Sequence, residues 1–123
     1  MAAKRAIIYP RRGDVYLVNF DPTLGAEIQK TRPALIVQND ISNRHSPITV
    51  VAAITSKFGP TLYPIEVLVR TPEGGLRENS VIVLDQIRSI DKQRLLRRLG
   101  RITPDTMRKV DRALVLSLGI VSV

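Results

Sequence analysis

Two residues stand where a cation and a hydroxyl could act together: Arg32, in Lys30-Thr31-Arg32-Pro33, and Thr55, in Thr55-Ser56-Lys57. An arginine offers a planar fork of donors that matches phosphoryl or carboxylate oxygens. A threonine offers one hydroxyl that can donate and accept, with a pKa too high for it to be a base unaided. Together they suit the binding of a phosphate and the stabilisation of charge that develops on it.

The flanking sequence suggests how the two meet. Pro33 to Val37 and Ile48 to Ile54 are apolar, β-branched and too short for ordinary helices. Such runs read as strands buried on both faces. The polar residues between them, Asn39, Asp40, Ser42, Asn43, Ser46 and Pro47, read as turn formers. Two strands about one polar connection make an antiparallel pair, and if Asn39 faces Ile48, then Arg32 faces Thr55. Directly opposed residues have Cβ atoms roughly 4.5–5.5 Å apart. A slip of one residue would put them on opposite faces. Arg32 also precedes a proline, which favours extended backbone there. Taken alone, an arginine at a strand end is ordinarily solvated or salt-bridged.

Composition narrows the partners. The chain has 123 residues, with 19 Lys and Arg against 11 Asp and Glu, a formal charge of +8. That length suits one domain, 1–123, with a core that needs no metal or disulfide staple. A basic balance favours polyanions, nucleic acid first. Three Tyr and two Phe are too few for a broad base-stacking platform. Cysteine is absent, which excludes disulfide and thiol chemistry. No apolar run approaches the 18 or so residues of a membrane span, and no secretory signal is legible behind Lys4 and Arg5. A cytoplasmic protein is the expectation.

Other chemistries have little to work with. No dinucleotide or P-loop glycine motif is present. His45 is the sole imidazole, so a two-histidine ribonuclease mechanism is excluded and a zinc site has no nitrogen or sulfur partner. Asp14, Asp21 and Asp40 lie in turn contexts, where carboxylates usually cap or solvate. No cofactor and no metal is expected.

Along the chain, 1–11 reads as a mobile arm, Val15 to Phe20 as a strand and Asp21 to Thr31 as a loop. Pro64 to Val69 reads as a further strand, and Thr71-Pro72-Glu73-Gly74-Gly75 as a strong turn. Val81 to Leu84 is a short strand, and Gln86 to Ile90 continues as another after a bend. Asp91-Lys92-Gln93 suits one helical turn. Arg94 to Ile102 is a last strand or a loop with a basic face. Thr103-Pro104-Asp105 opens a helix, with Met107, Val110, Leu114 and Leu118 at helical spacing up to Gly119. The class is mostly β (α+β) with one C-terminal helix.

An ordered set of short motifs adds to this reading. Arg12-Gly13-Asp14-Val15-Tyr16, Asp21-Pro22, Gly25-Ala26-Glu27, Lys30-Thr31-Arg32-Pro33 and Gln38-Asn39-Asp40 come first. Thr55-Ser56-Lys57, Asn79-Ser80-Val81 and Asp85-Gln86-Ile87-Arg88 follow. In this order and spacing, over roughly 11–117, the chain closely resembles the MazF/PemK family of toxin–antitoxin ribonucleases. The resemblance implies an SH3-like barrel of the plasmid-toxin (MazF/PemK/CcdB) type. It also implies a homodimer, a single-stranded RNA substrate, and an acidic, partly disordered antitoxin as partner.

By the same resemblance Arg32 and Thr55 match the catalytic pair, the first stabilising the transition state and the second positioning the phosphate. Glu27 and Lys30 fall in a loop that borders the RNA groove. Ser80 and Gln86 match positions near bound RNA, and Asp85 stands where many relatives carry Glu. RNA carries its own nucleophile, the 2′-OH, so such a site can work without metal. Two other readings compete. A gyrase-poisoning toxin of the same fold would use an aromatic beside Gly-Ile at the C-terminus; here Gly119-Ile120 is present but no Trp is. A non-catalytic RNA-binding barrel would explain the charge and leave the Arg32 and Thr55 match without a purpose.

Overall fold

In a computed structural model, residues 9–20 and 31–121 are described. The β-branched runs form strands as their composition dictates. In chain order the elements are β1 (Asp14–Asn19), β2 (Thr31–Ile36), α1 (Asp40–His45), β3 (Ile48–Thr55), β4 (Glu66–Val69), β5 (Ser80–Asp91), β6 (Leu95–Arg101) and α2 (Pro104–Ser117). The described strands make one antiparallel sheet of order β4-β5-β3-β2-β1-β6.

Both faces of the central strands are covered, which is why their sequence is continuously apolar rather than alternating. Ala34, Leu35 and Ile36 are all fully buried. On one face Val15, Leu35, Ala52, Ile54 and Ile82 pack beneath Val110 and Ala113 of α2. On the other, Tyr16, Val18, Ala34, Ile36, Val51 and Ile90 form a second cluster with Phe20 and Leu95. Helix α2 starts where the cap sequence places it: the Thr103 hydroxyl accepts the Thr106 N–H at 3.2 Å.

The expected barrel is a curled but open sheet. Its edges, β4 and β6, are not hydrogen-bonded to each other. Instead the connection from β4 to β5 folds back through a 3₁₀ turn at Glu73–Gly75 and lies on β6. Gly75 has φ +71° there, and a Cβ on it would sit 2.0 Å from the Leu99 carbonyl oxygen. Only glycine permits both that conformation and that approach. Glu73 fastens the same turn to the start of α2, accepting the Thr103 N–H at 3.0 Å.

Two segments differ from the sequence reading. The polar connection between β2 and β3 contains a short helix, α1, not turns alone. Its polar residues cap and anchor it: the Asn39 side chain caps the helix by accepting the Ser42 N–H at 2.8 Å, and buried Asn43 ties it to β3 by accepting the Thr49 hydroxyl at 2.8 Å. The segments 81–84 and 86–90 belong to a single strand, β5, broken by a register shift. Ala52 opposes Ile87 while Ala53 opposes Val83, leaving Leu84, Asp85 and Gln86 unopposed on β3. The segment 95–101, left open between strand and basic loop, is the edge strand β6. It is held to β1 in part by buried Asp14, which pairs with Arg101 at 2.9 Å and Arg98 at 3.2 Å. Of the arm read over 1–11, residues 1–8 lie outside the described residues.

Candidate active site

The start of β2, the end of β3 and the start of β5 lie at one end of the antiparallel sheet, and a cleft of about 620 Å³ opens there. Its size is that of an ordinary ligand pocket, about 300–1,000 Å³. Leu17, Pro33, Ile54 and Leu99 supply apolar wall, and the β4–β5 connection closes one side with Leu76, Arg77 and Glu78.

Arg32 and Thr55 both line this cleft. Their meeting follows from register. Ala34 opposes Ala53, Leu35 opposes Ala52 and Ile36 opposes Val51. Continued two places towards the cleft, the same register sets Arg32 against Thr55. That is the alignment obtained from the sequence by opposing Asn39 and Ile48.

The two side chains are held differently. The Thr55 hydroxyl oxygen accepts the Lys57 N–H at 3.1 Å and lies 3.4 Å from the Lys57 carbonyl oxygen. The tight turn after β3 therefore orients the hydroxyl of this cleft-lining residue. Arg32 is exposed, and among the described residues no carboxylate pairs with it. Its fork is available to an anion. Ser80, only 4% exposed, donates its hydroxyl to the Glu78 carbonyl at 3.0 Å. It thereby ties the closing wall to β5.

The remaining positions singled out in the sequence are scattered. Asp85 and Gln86 are exposed at the β5 register break and are not among the residues lining the cleft. Glu27 and Lys30 lie outside the described residues. Lys57, Arg77, Glu78 and Arg97 line the cleft without having been singled out as site residues. Lys57 could have been found from its place beside Thr55. Arg77 and Arg97 could not, because a fold-back turn and an edge strand bring them in. Among the described residues no three His, Cys, Asp or Glu side chains gather as a metal site. Asp14 and Asp40 are already engaged, the first by arginines and the second by the Arg12 N–H at 2.7 Å. That backbone hydrogen bond is the main reason the Asp40 carboxyl titrates below its ordinary value.

The cleft thus presents a cationic fork and an oriented hydroxyl side by side, with further cations around them. Such a set binds a phosphodiester and stabilises negative charge developing on it. Comparison with known proteins agrees with this chemistry. The chain is 43% identical over 111 residues to Endoribonuclease EndoA of Bacillus subtilis (strain 168), covering 90% of this chain and 96% of that protein. It resembles a solved endoribonuclease in complex with its cognate antitoxin from a mycobacterial species. There the identity is 31%, the coverage 93% of this chain and 99% of that one, and the TM-score 0.76. It also resembles a crystal structure of MazE-MazF from Deinococcus radiodurans, at 27% identity, with 94% and 100% coverage and a TM-score of 0.80. Residues 11–118 match the family described as PemK-like, MazF-like toxin of type II toxin–antitoxin system, and the chain is a member of that family.

Proposed function

We propose that this protein is the toxin of a type II toxin–antitoxin pair and acts as an endoribonuclease on single-stranded RNA, halting translation. The observation that carries the reading is the juxtaposition of Arg32 and Thr55 in one open, basic cleft, in a chain of this family. The 2′-oxygen of the RNA attacks the adjacent phosphorus as the P–O5′ bond breaks. The 2′-hydroxyl proton is lost, a proton is gained at O5′, and the products are a 2′,3′-cyclic phosphate and a 5′-hydroxyl. Arg32 neutralises charge building on the phosphoryl oxygens. Thr55, fixed by the Lys57 N–H, holds the phosphate in line. Neither role calls for a metal ion.

Ser80 belongs to the same site as a support of its wall. Gln86 and Asp85, exposed on β5 beyond the cleft, are assigned to contacts with flanking RNA, and Glu27 and Lys30 to contacts from the β1–β2 connection. Partners follow from charge: the net +8 suits an acidic, largely disordered antitoxin segment that competes with RNA for the cleft. A homodimer and a cytoplasmic location complete the proposal. Among the described residues no helix is long and apolar enough to cross a membrane.

The test is incubation of pure protein with a long, weakly structured RNA in excess EDTA, followed by mapping of the ends. Discrete cuts with 5′-hydroxyl and cyclic or opened 3′-phosphate termini are expected. Intact RNA, or cleavage that returns only with added magnesium, would overturn the mechanism.

A further inference from the structure

The cleft holds more positive charge than attack on one phosphate uses. Besides Arg32 it is lined by Lys57, Arg77 and Arg97, against one lining carboxylate, Glu78. Several other arginines are engaged elsewhere. Arg98 and Arg101 hold Asp14, Arg12 holds Asp111, and Arg88 lies over the Phe20 ring. Arg77 and Arg97 are exposed, and among the described residues neither side chain has an ion pair, hydrogen bond or ring contact.

The two arrive from segments far apart in sequence. Arg97, on β6, opposes Leu17 of β1, which opposes Pro33 of β2, the neighbour of Arg32. Two strand spacings, about 10 Å of backbone, therefore separate the Arg97 and Arg32 ends of the cleft. Arg77 hangs from the β4–β5 connection beside buried Leu76, where the contact of Gly75 with Leu99 presses that connection onto β6. A phosphate held in the Arg32 fork leaves the charge at the Arg97 end of that span unmatched, and a polyanion with a charge at every step supplies a second phosphate for it.

We propose that Arg77 and Arg97 form a second anion subsite in the cleft, holding a backbone phosphate of the RNA one or two nucleotides from the scissile one. The inference rests on the ribonuclease reading and extends it. Arg32 and Thr55 act at the bond that breaks, whereas Arg77 and Arg97 fix how the strand lies across them. Phosphate contacts set register and affinity and carry no base information. The subsite therefore acts on substrate binding rather than on the chemical step.

The test uses Arg77→Gln and Arg97→Gln, with Arg44→Gln as a control. Arg44 is exposed on α1, at the opposite end of the sheet, and its replacement removes the same charge. The binding probe is a short oligoribonucleotide spanning a mapped cut, with 2′-hydrogen at the scissile nucleotide. The all-ribose version measures cleavage. Each cleft variant should bind about 3- to 10-fold more weakly, between the scale of an exposed ion pair and that of a charge-assisted hydrogen bond. KM should rise by a similar factor with kcat unchanged, and the log–log salt slope should become shallower by about 0.7. Arg44→Gln should match the wild type. An uncharged methylphosphonate at the contacted phosphate should weaken wild-type binding and leave Arg97→Gln indifferent.

If the wild type cleaves and the cleft variants behave like Arg44→Gln, the subsite is wrong and the ribonuclease reading stands. A fall in kcat at unchanged KM would place these arginines in the chemistry and also overturn the subsite. A wild type that neither binds nor cuts RNA removes both.

Discussion

Replacing Arg32 with alanine separates catalysis from folding because of where the structure puts it. The side chain is exposed at the second position of β2, beyond the fully buried Ala34, Leu35 and Ile36, with no carboxylate partner among the described residues. Its loss leaves no cavity and no orphaned charge, so stability should change by no more than about 0.5 kcal/mol. Removal of one preorganised donor to a developing oxyanion costs about 10²–10³ in rate. Arg32 sits in an open cleft where water competes for the same oxygens, which favours the lower end, about 10². Arg32→Lys should recover part of this and no more, since a point charge cannot reproduce a two-donor fork. The assay is single-turnover cleavage of an end-labelled RNA at saturating enzyme, beside a thermal melt of each variant. Saturation keeps a binding defect from passing as a chemical one. Cleavage within threefold of wild type by a folded Arg32→Ala protein would refute the assignment. A large loss of stability would refute the claim that the residue is free of structural duty.

Thr55→Ala should lower the cleavage rate by an amount comparable to Arg32→Ala or smaller, while Thr55→Ser keeps most of it, because serine can still accept the Lys57 N–H; equal loss in both would show that the methyl, not the hydroxyl, matters. Gly75→Ala should destabilise by about 2–5 kcal/mol, combining left-handed strain of roughly 1–2 with overpacking of roughly 1–3. Urea unfolding measures it, with Gly59→Ala, where a Cβ meets nothing within 4 Å, as the comparison. The Glu73 carboxyl is pushed up by burial, but hydrogen bonds from Thr106 and from the Thr103 N–H and hydroxyl outweigh this and hold it below the ordinary value for a glutamate. Its stabilising contribution is therefore complete above that ordinary value and is lost as pH falls through the lower folded value. The stability gap between wild type and Glu73→Gln should narrow over that acid range, and a gap that widens in acid would reverse the sign of the argument.

The legible and illegible parts of this molecule differ in how far apart their partners lie. The β2–β3 pairing could be read because both strands are buried on both faces and joined by a short connection. Residues in one hairpin-like unit, Arg32 and Thr55, could therefore be set opposite each other from local sequence. The α2 boundary was legible for the same local reason, a Thr-Pro-Asp cap. The open edge of the sheet was not. Whether β4 and β6 pair depends on how far the sheet curls, and the contact of Gly75 with Leu99 that lays the β4–β5 connection on β6 joins residues remote in sequence. The β5 register break was equally hidden. Leu84 leaves the β3 ladder because its N–H binds the Ile65 carbonyl at 2.9 Å and its own carbonyl accepts the Ser117 hydroxyl at 2.7 Å. Neither partner is signalled near residue 84.

The same distinction bears on how the site divides its work. The pair assigned to the reacting phosphate is built by one antiparallel register, which holds two side chains on adjacent strands in fixed relation. The cations assigned to the flanking strand are built by a fold-back turn resting on an edge strand, a contact that depends on two glycines, Gly75 and Gly100, having no Cβ. Loosening that contact would move Arg77 relative to Arg97 and leave the Arg32 and Thr55 register in place. Substrate affinity and the chemical step should thus respond separately to mutation. A substitution at Gly100, where a Cβ would meet the Gly74 carbonyl carbon at 2.6 Å, is expected to raise KM more than it lowers kcat in the fraction that stays folded. A Gly100→Ala protein with unchanged KM and a kcat reduced as far as that of Arg32→Ala would mean the two halves of the cleft are one mechanical unit.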